Sequence, residues 1–356
     1  MRDLSLVLAH VASTPWAILP ERGSTILRVL LARAVHGRGS LGDGEAIAQA
    51  DQRVYAARRE AASAAPSGVG VLPIYGVLEH RLHSVSDASG GGLVAAEGIT
   101  SRLRSMIADP RVDVIVLDID SPGGSVAGIQ ELGDEIAASP KPVVAVANST
   151  AASAAYWLAA QASELVVTPS GSVGSIGVYL VHEDISKALA EDGITPTIVS
   201  AGRNKVEGNP FAPLTEEARE TLQASVDRYY DAFTKAVAKG RGVSAKVARG
   251  ERFGEGRMFG AEEAVERGMA DTVGTLDETI ARFQGGGRVK RRVSAMAIAA
   301  APEISAAAAS PAPVAEPIGP PLAVDPTPAP NEPETQAAPA LRVIDPALEM
   351  LDSESR

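Results

Sequence analysis

Between Lys141 and Glu164 the chain carries no charge at all, reading PVVAVANSTAASAAYWLAAQAS. A run of this kind is long enough to cross a bilayer, which takes roughly 20 apolar residues. Its composition argues for a buried core segment instead. Asn148, Ser149, Thr150, Ser153 and Gln161 lower its hydropathy, and it divides into two parts. KPVVAV is short and β-branched, as a buried strand is, whereas AASAAYWLAAQA is rich in helix-forming alanine. The predicted order is strand, small-residue turn, helix, with no membrane span.

Around this centre, strand-like and helical stretches alternate. VGVLPIYGVLEH (69–80) and VDVIVLDIDSPGG (112–124) read as buried strands, the second ending in a glycine turn. The segment 98–109 places Ile99, Leu103 and Ile107 at helical spacing, and a helix is expected from Ser125 to Ala138. Further strands are expected in 164–178 and in PTIVSAG (196–202). The segment 215–242 is the clearest helix, with Thr215 as N-cap, Glu216 and Glu217 in the first turn and Gly240 as the stop. Met258 to Val273 reads as a closing helix and strand, with Gly268 ending the helix. Near-continuous apolar strands between helices predict an α/β architecture with a largely parallel sheet.

Three regions follow from composition. Residues 1–67 read as a helical extension, 68–286 as the core domain, and 287–356 as an Ala/Pro-rich tail. The tail lacks periodicity and large apolar residues, so it is expected to be disordered. The formal net charge of −11 argues against a nucleic-acid or anionic-membrane partner. With no cysteine, thiolate metal sites and disulfides are excluded. The N-terminal apolar stretch is broken by His10, Ser13 and Thr14, which does not make a signal peptide, and a cytoplasmic protein is expected.

Some residues carry possible chemistry. Ser153, flanked by alanines between strand and helix, resembles a nucleophile elbow with alanine in place of glycine. Small neighbours admit a carbonyl, and a helix start offers N–H groups where oxyanion charge develops. A serine in an Ala-rich helix start is, however, more often a cap or packing residue. Gly123 and Gly124 follow a strand after Ser-Pro, where a pair of glycines marks close backbone approach. A base for Ser153 could come from one of the five histidines, of which His182 follows a predicted strand, or from a lysine. A lysine serves only where desolvation or a nearby cation lowers its pKa from about 10.4. Lys205, in the glycine-bracketed GRNKVEGNPF just after a predicted strand, is such a candidate if its loop packs against the core, although taken alone it reads as a surface lysine. Asp118 and Asp120 read as turn caps, Tyr156 and Trp157 as core or groove residues, and GSVGSIG lacks dinucleotide-binding spacing.

Taken together, NSTAASAAYWLA, DSPGGSV, GSVGSIGV, GRNKVEGNPF and GRMFGAEEAVERGMADTVG resemble, in order and spacing, the S49 peptidase family that includes signal peptide peptidase A. The resemblance spans about residues 68–285, and TPWAILPERGSTILRVLLARAV is similar to the N-terminal extension of the phage head-maturation, or capsid-assembly, branch. It implies a Clp protease/crotonase-like fold of parallel sheets with repeated ββα units and flanking helices. It further implies a Ser/Lys dyad, with Ser153 as nucleophile, Lys205 as general base and Ser175 orienting the lysine. Gly123 or Gly124 and the N–H of Ala154 would form the oxyanion hole. Where many relatives have glycines after the nucleophile, this chain has Ala154 and Ala155. The expected substrates are capsid, scaffold or portal proteins, with self-cleavage expected in the Ala-rich stretch near 293–315, no cofactor or metal, and a homo-oligomeric assembly. A crotonase-like acyl-CoA enzyme and a non-catalytic scaffold are the competing readings.

Overall fold

The computed structural model describes residues 15–20, 23, 68–81 and 93–288. Most of the N-terminal extension, the SGGG loop at 89–92 and the tail from 289 onward lie outside them, as does the expected self-cleavage region. Among the described residues the chain forms two sheets. The larger has seven strands: β2 (Gly68–Tyr75), β5 (Val112–Ser121), β7 (Val143–Ala152), β8 (Glu164–Val167), β9 (Ser172–Gly174), β10 (Met258–Gly260) and β11 (Thr272–Val273). Its ladders are parallel except for β9–β10. The smaller sheet runs β1 (Trp16–Ile18), β6 (Gly123–Ser125), β3 (Val77–Glu79), β4 (Leu93–Ala95).

A unit recurs: a long strand in the large sheet, short strand structure in the small sheet, then a helix. It runs β2, β3 and β4 into α1 (Ala96–Ala108), and β5 and β6 into α2 (Ile129–Ala137). Parallel sheets with repeated ββα units and flanking helices are the expected fold. After β7 comes α3 (Ala154–Gln161), followed by α4 (Ser186–Glu191), α5 (Glu216–Arg241), α6 (Ala245–Arg249), α7 (Ala261–Glu266) and α8 (Leu276–Gln284).

The uncharged run is thus a buried strand feeding a buried helix, and every residue of α3 is buried. No described helix is long and apolar enough to cross a membrane. Trp157 stacks on Phe233 of α5 with centroids 4.8 Å apart, and the Tyr156 hydroxyl donates to the Met269 carbonyl at 2.9 Å. One face of the large sheet packs against α1, α2 and α3, and Val71, Val116, Val144 and Val166 on the other receive Phe283 of α8. Two bidentate ion pairs fix the C-terminal elements: Arg282 of α8 to Glu164 of β8 at 2.8 and 3.0 Å, and Arg241 of α5 to Asp271 at 2.9 and 2.8 Å.

Several local expectations are corrected. Trp16–Ile18 is a strand, not part of a helix; Pro15 and Pro20 bracket it and disfavour helical backbone before each proline. The helix expected from Ser125 starts at Ile129, because Gly123–Ser125 pairs with both β1 and β3. PTIVSAG forms no strand: residues 191–205 are all exposed, Val199 at 95%, with no ladder partner among the described residues. Gly240 is interior to α5, whose cap is Gly242 at φ 68°. Asp118 is not a turn cap: it is buried in β5 and accepts from the Tyr75 hydroxyl and, at 3.0 Å, from Asn148 Nδ2.

Candidate active site

Ser153 stands at the junction of β7 and α3 with φ 54° and ψ −117°, a left-handed conformation that L residues avoid. Strain of this kind costs about 1–3 kcal/mol and persists only where surroundings over-determine it. Parallel pairing of β7 with β9 supplies that constraint. Ala152 is in register with Gly174, and the Ser153 N–H donates to the Gly174 carbonyl at 2.8 Å. Ser153 is 1% exposed, and its Oγ donates to the Gly177 carbonyl at 3.4 Å.

Ser175 follows Gly174, whose carbonyl accepts the Ser153 N–H where the β7–β9 pair ends. Its own φ is 55°, it is buried, and its N–H donates to the Arg257 carbonyl at 2.8 Å. The two glycines separate by function. A Cβ on Gly123, at φ 96°, would come within 2.9 Å of the Ala152 carbonyl and 3.0 Å of the Ala154 nitrogen. A Cβ on Gly124 would instead run into the backbone of Leu78 on β3. Gly123 is thus the glycine beside Ser153, and Gly124 the one that lets β6 pair with β3. Ala154 and Ala155 open α3 in helical conformation, so alanine in place of glycine costs no strain there.

Lys205 is not brought to these serines. It sits in a turn, its N–H donating to the Gly202 carbonyl at 3.2 Å, with its side chain exposed. Among the described residues it makes no side-chain hydrogen bond or ion pair. Its exposure matches the surface-lysine reading of the residue alone, and the strand expected before it does not form. His182 is also outside the cluster; its Nε2 lies 3.2 Å from the Asn209 carbonyl. No group of metal-ligating side chains occurs among the described residues.

Sequence reasoning missed two parts of the site: a role for Gly177, although it lies in the GSVGSIGV motif, and strand Trp16–Ile18. The prolines at 15 and 20 were the available signal for the second.

The fold and this junction define a class: an α/β protein with a strained, buried serine at the head of a buried helix, beside a glycine strand. Residues 135–290 match the model of peptidase family S49. Capsid assembly protease C of Escherichia phage lambda is 35% identical over 241 residues, 64% of this chain and 54% of the relative. Head-tail preconnector protein GP5 of Enterobacteria phage P21 is 36% identical over 216 residues, 60% of this chain and 42% of the relative. The chain therefore spans about half the length of these relatives. A solved structure of a ClpP1 mutant from Listeria monocytogenes aligns with a TM-score of 0.39 at 15% identity. It covers 59% of this chain and 94% of that one, a likeness too low to carry an argument.

Proposed function

We propose that the protein is a serine endopeptidase in which Ser153 is the nucleophile, Lys205 the general base and Ser175 the residue that orients the lysine. The N–H groups of Gly123 and Ala154 form the oxyanion hole. The observation that carries this reading is the left-handed backbone of Ser153 at φ 54°, buried beside Gly123 and the start of α3. Neither packing nor capping requires strain there, whereas a nucleophile presented at a strand-to-helix turn does.

Neutral Lys205 takes the Ser153 Oγ proton as the oxygen attacks a peptide carbonyl, and the oxyanion is held by two backbone donors. The lysine returns its proton to the leaving amine, and water cleaves the acyl-enzyme. An exposed ammonium is poorly suited to this role, so the working protein has to desolvate Lys205. Assembly of copies into a homo-oligomer does so by covering 191–205, where Ile198 and Val199 lie exposed beside it. The name of one phage relative, a capsid assembly protease, supports capsid proteins as substrates; scaffold and portal proteins, the host cytoplasm and a peptidase domain over 68–286 are part of the same reading.

The test is intact-protein mass over time for wild type, Ser153→Ala and Lys205→Ala, incubated with a candidate capsid protein. Fragments formed by wild type alone are expected. Fragments that persist in Ser153→Ala would remove the serine from the mechanism.

A further inference from the structure

Two backbone edges border Ser153, and the chain's own N-terminal strand lies between them. One edge is β6, whose Gly123 adjoins the Ala154 amide. The other is the segment 177–179, whose Gly177 carbonyl accepts from Ser153 Oγ. Strand β1 runs antiparallel to β6, with Trp16 opposite Ser125, Ala17 opposite Gly124 and Ile18 opposite Gly123. On its other side, the Trp16 N–H donates to the Tyr179 carbonyl at 2.8 Å and the Tyr179 N–H to the Trp16 carbonyl at 2.9 Å. Leu19 N–H donates to the Pro122 carbonyl at 3.0 Å, and Val126 N–H to the Pro15 carbonyl at 3.3 Å. The Ala17 carbonyl stands against the position that a Cβ on Gly123 would take.

We propose that residues 15–19 occupy, in cis, the channel through which an extended peptide reaches Ser153. They are the occupant a substrate displaces and a template for the peptide the channel accepts. The proposal rests on Ser153 being the nucleophile. Main-chain bonds on both sides are how a protein binds an extended peptide by strand addition, with side-chain pockets adding specificity. The antiparallel register sets Ile18 opposite the glycine of the oxyanion hole, so the Ile18–Leu19 bond falls where a substrate's reacting bond would lie. Trp16, Ala17 and Ile18 are 7%, 0% and 2% exposed. The channel thus encloses an aromatic, a small and a branched aliphatic residue in that order, which defines the substrate class.

The segment is held without being presented for cleavage. Beyond Leu19 the chain leaves the strand at Pro20, and the Leu19 carbonyl accepts from Gly23 N–H at 3.0 Å. The leaving side therefore turns out of the channel. A tethered occupant of this kind acts at an effective concentration of roughly millimolar, so a free peptide has to outcompete it.

The experiment follows fluorophosphonate labelling of Ser153 in the full chain and in Trp16→Ala/Ile18→Ala. Labelling is expected to quicken at least about tenfold in the variant, given the advantage tethering confers. A synthetic peptide TPWAILPE should slow it again while a scrambled peptide does not. An unchanged rate in a folded variant, or a rate the peptide fails to slow, overturns the proposal. A second arm depends on neither the variant's folding nor the chemistry. In Ser153→Ala protein, saturating TPWAILPE should raise amide hydrogen exchange at Trp16 and Leu19, and unchanged exchange overturns the proposal. Absence of Ser153 labelling in both chains, with exchange raised by the peptide, would instead overturn the reading of Ser153 as nucleophile and leave the channel's occupant established.

Discussion

Gly240 of α5 lies so close to the Ala160 carbonyl of α3 that a Cβ at position 240 would fall well inside contact distance of that oxygen. The glycine lets the longest helix press against the helix that Ser153 heads, alongside the Trp157–Phe233 stack. Gly240→Ala gains about 1 kcal/mol of helix propensity. It loses about 1–3 kcal/mol to overpacking, because the opposing atom is backbone and cannot rotate away. Net destabilisation is expected, read as a lower thermal midpoint. A midpoint that rises would mean the two helices separate at no cost.

Arg241, the next residue, is buried against Asp271, whose carboxylate also accepts the Leu165 N–H of β8 at 2.7 Å. Removing the guanidinium strands that carboxylate. Arg241→Ala should cost about 3–5 kcal/mol in a urea titration, the usual penalty for breaking a buried pair from one side. Arg241→Lys should restore only part of it, since an ammonium cannot make the planar fork.

Where the sequence was legible and where it was not follows from the range of the forces involved. Helix α5 declares itself locally: the Thr215 side chain accepts from the Ala218 N–H at 3.2 Å, with Glu216 and Glu217 in the first turn as expected. Strand β7 and helix α3 are equally legible, because valine-rich and alanine-rich halves have opposite preferences. The short strands are not, since three residues carry no period and Gly123–Ser125 is a strand only because β1 and β3 lie beside it. The 196–202 segment is the converse case. Its β-branched residues have strand preference, yet a strand needs a partner edge, which preference alone does not supply. At the site, Ser153 stood out by its setting, but its adjacency to Gly123 and Gly177 depends on strand order in two sheets.

Glu278 closes a capping box on α8, accepting the Thr275 N–H at 2.8 Å while Thr275 Oγ1 accepts the Glu278 N–H at 3.2 Å. These hydrogen bonds, that from the Thr275 backbone first, hold the carboxyl below its ordinary value of 4.5. A depressed folded-state pKa adds stability above the unfolded-state value, and that stability is lost as pH falls through the folded-state value. Glu278→Gln should therefore lower the thermal midpoint slightly at pH 7 and leave it equal to wild type once the Glu278 carboxyl is protonated in both the folded and the unfolded state. A gap that persists unchanged into acid would show that the charge contributes nothing to the cap.

Gly123→Ala and Gly124→Ala should fail in different ways, although the residues are neighbours. At 123 the added Cβ meets the Ala17 carbonyl of β1 first, then the Ala152 carbonyl and the Ala154 nitrogen, in a backbone held at φ 96°, so it pushes on β1 and disturbs the two groups that flank Ser153. Turnover of a peptide substrate should drop by about 10²–10³, the loss seen when one oxyanion donor is misplaced. The stability cost should exceed the about 1–3 kcal/mol of the left-handed conformation, because the edge strand β1 has to move away from the new Cβ as well. At 124 the Cβ meets the Leu78 backbone, which separates β6 from β3 and should unfold or strongly destabilise the chain before chemistry can be assayed. Thermal midpoints and turnover measured side by side decide the matter. A Gly123→Ala protein that keeps wild-type turnover would remove that strand from the oxyanion hole.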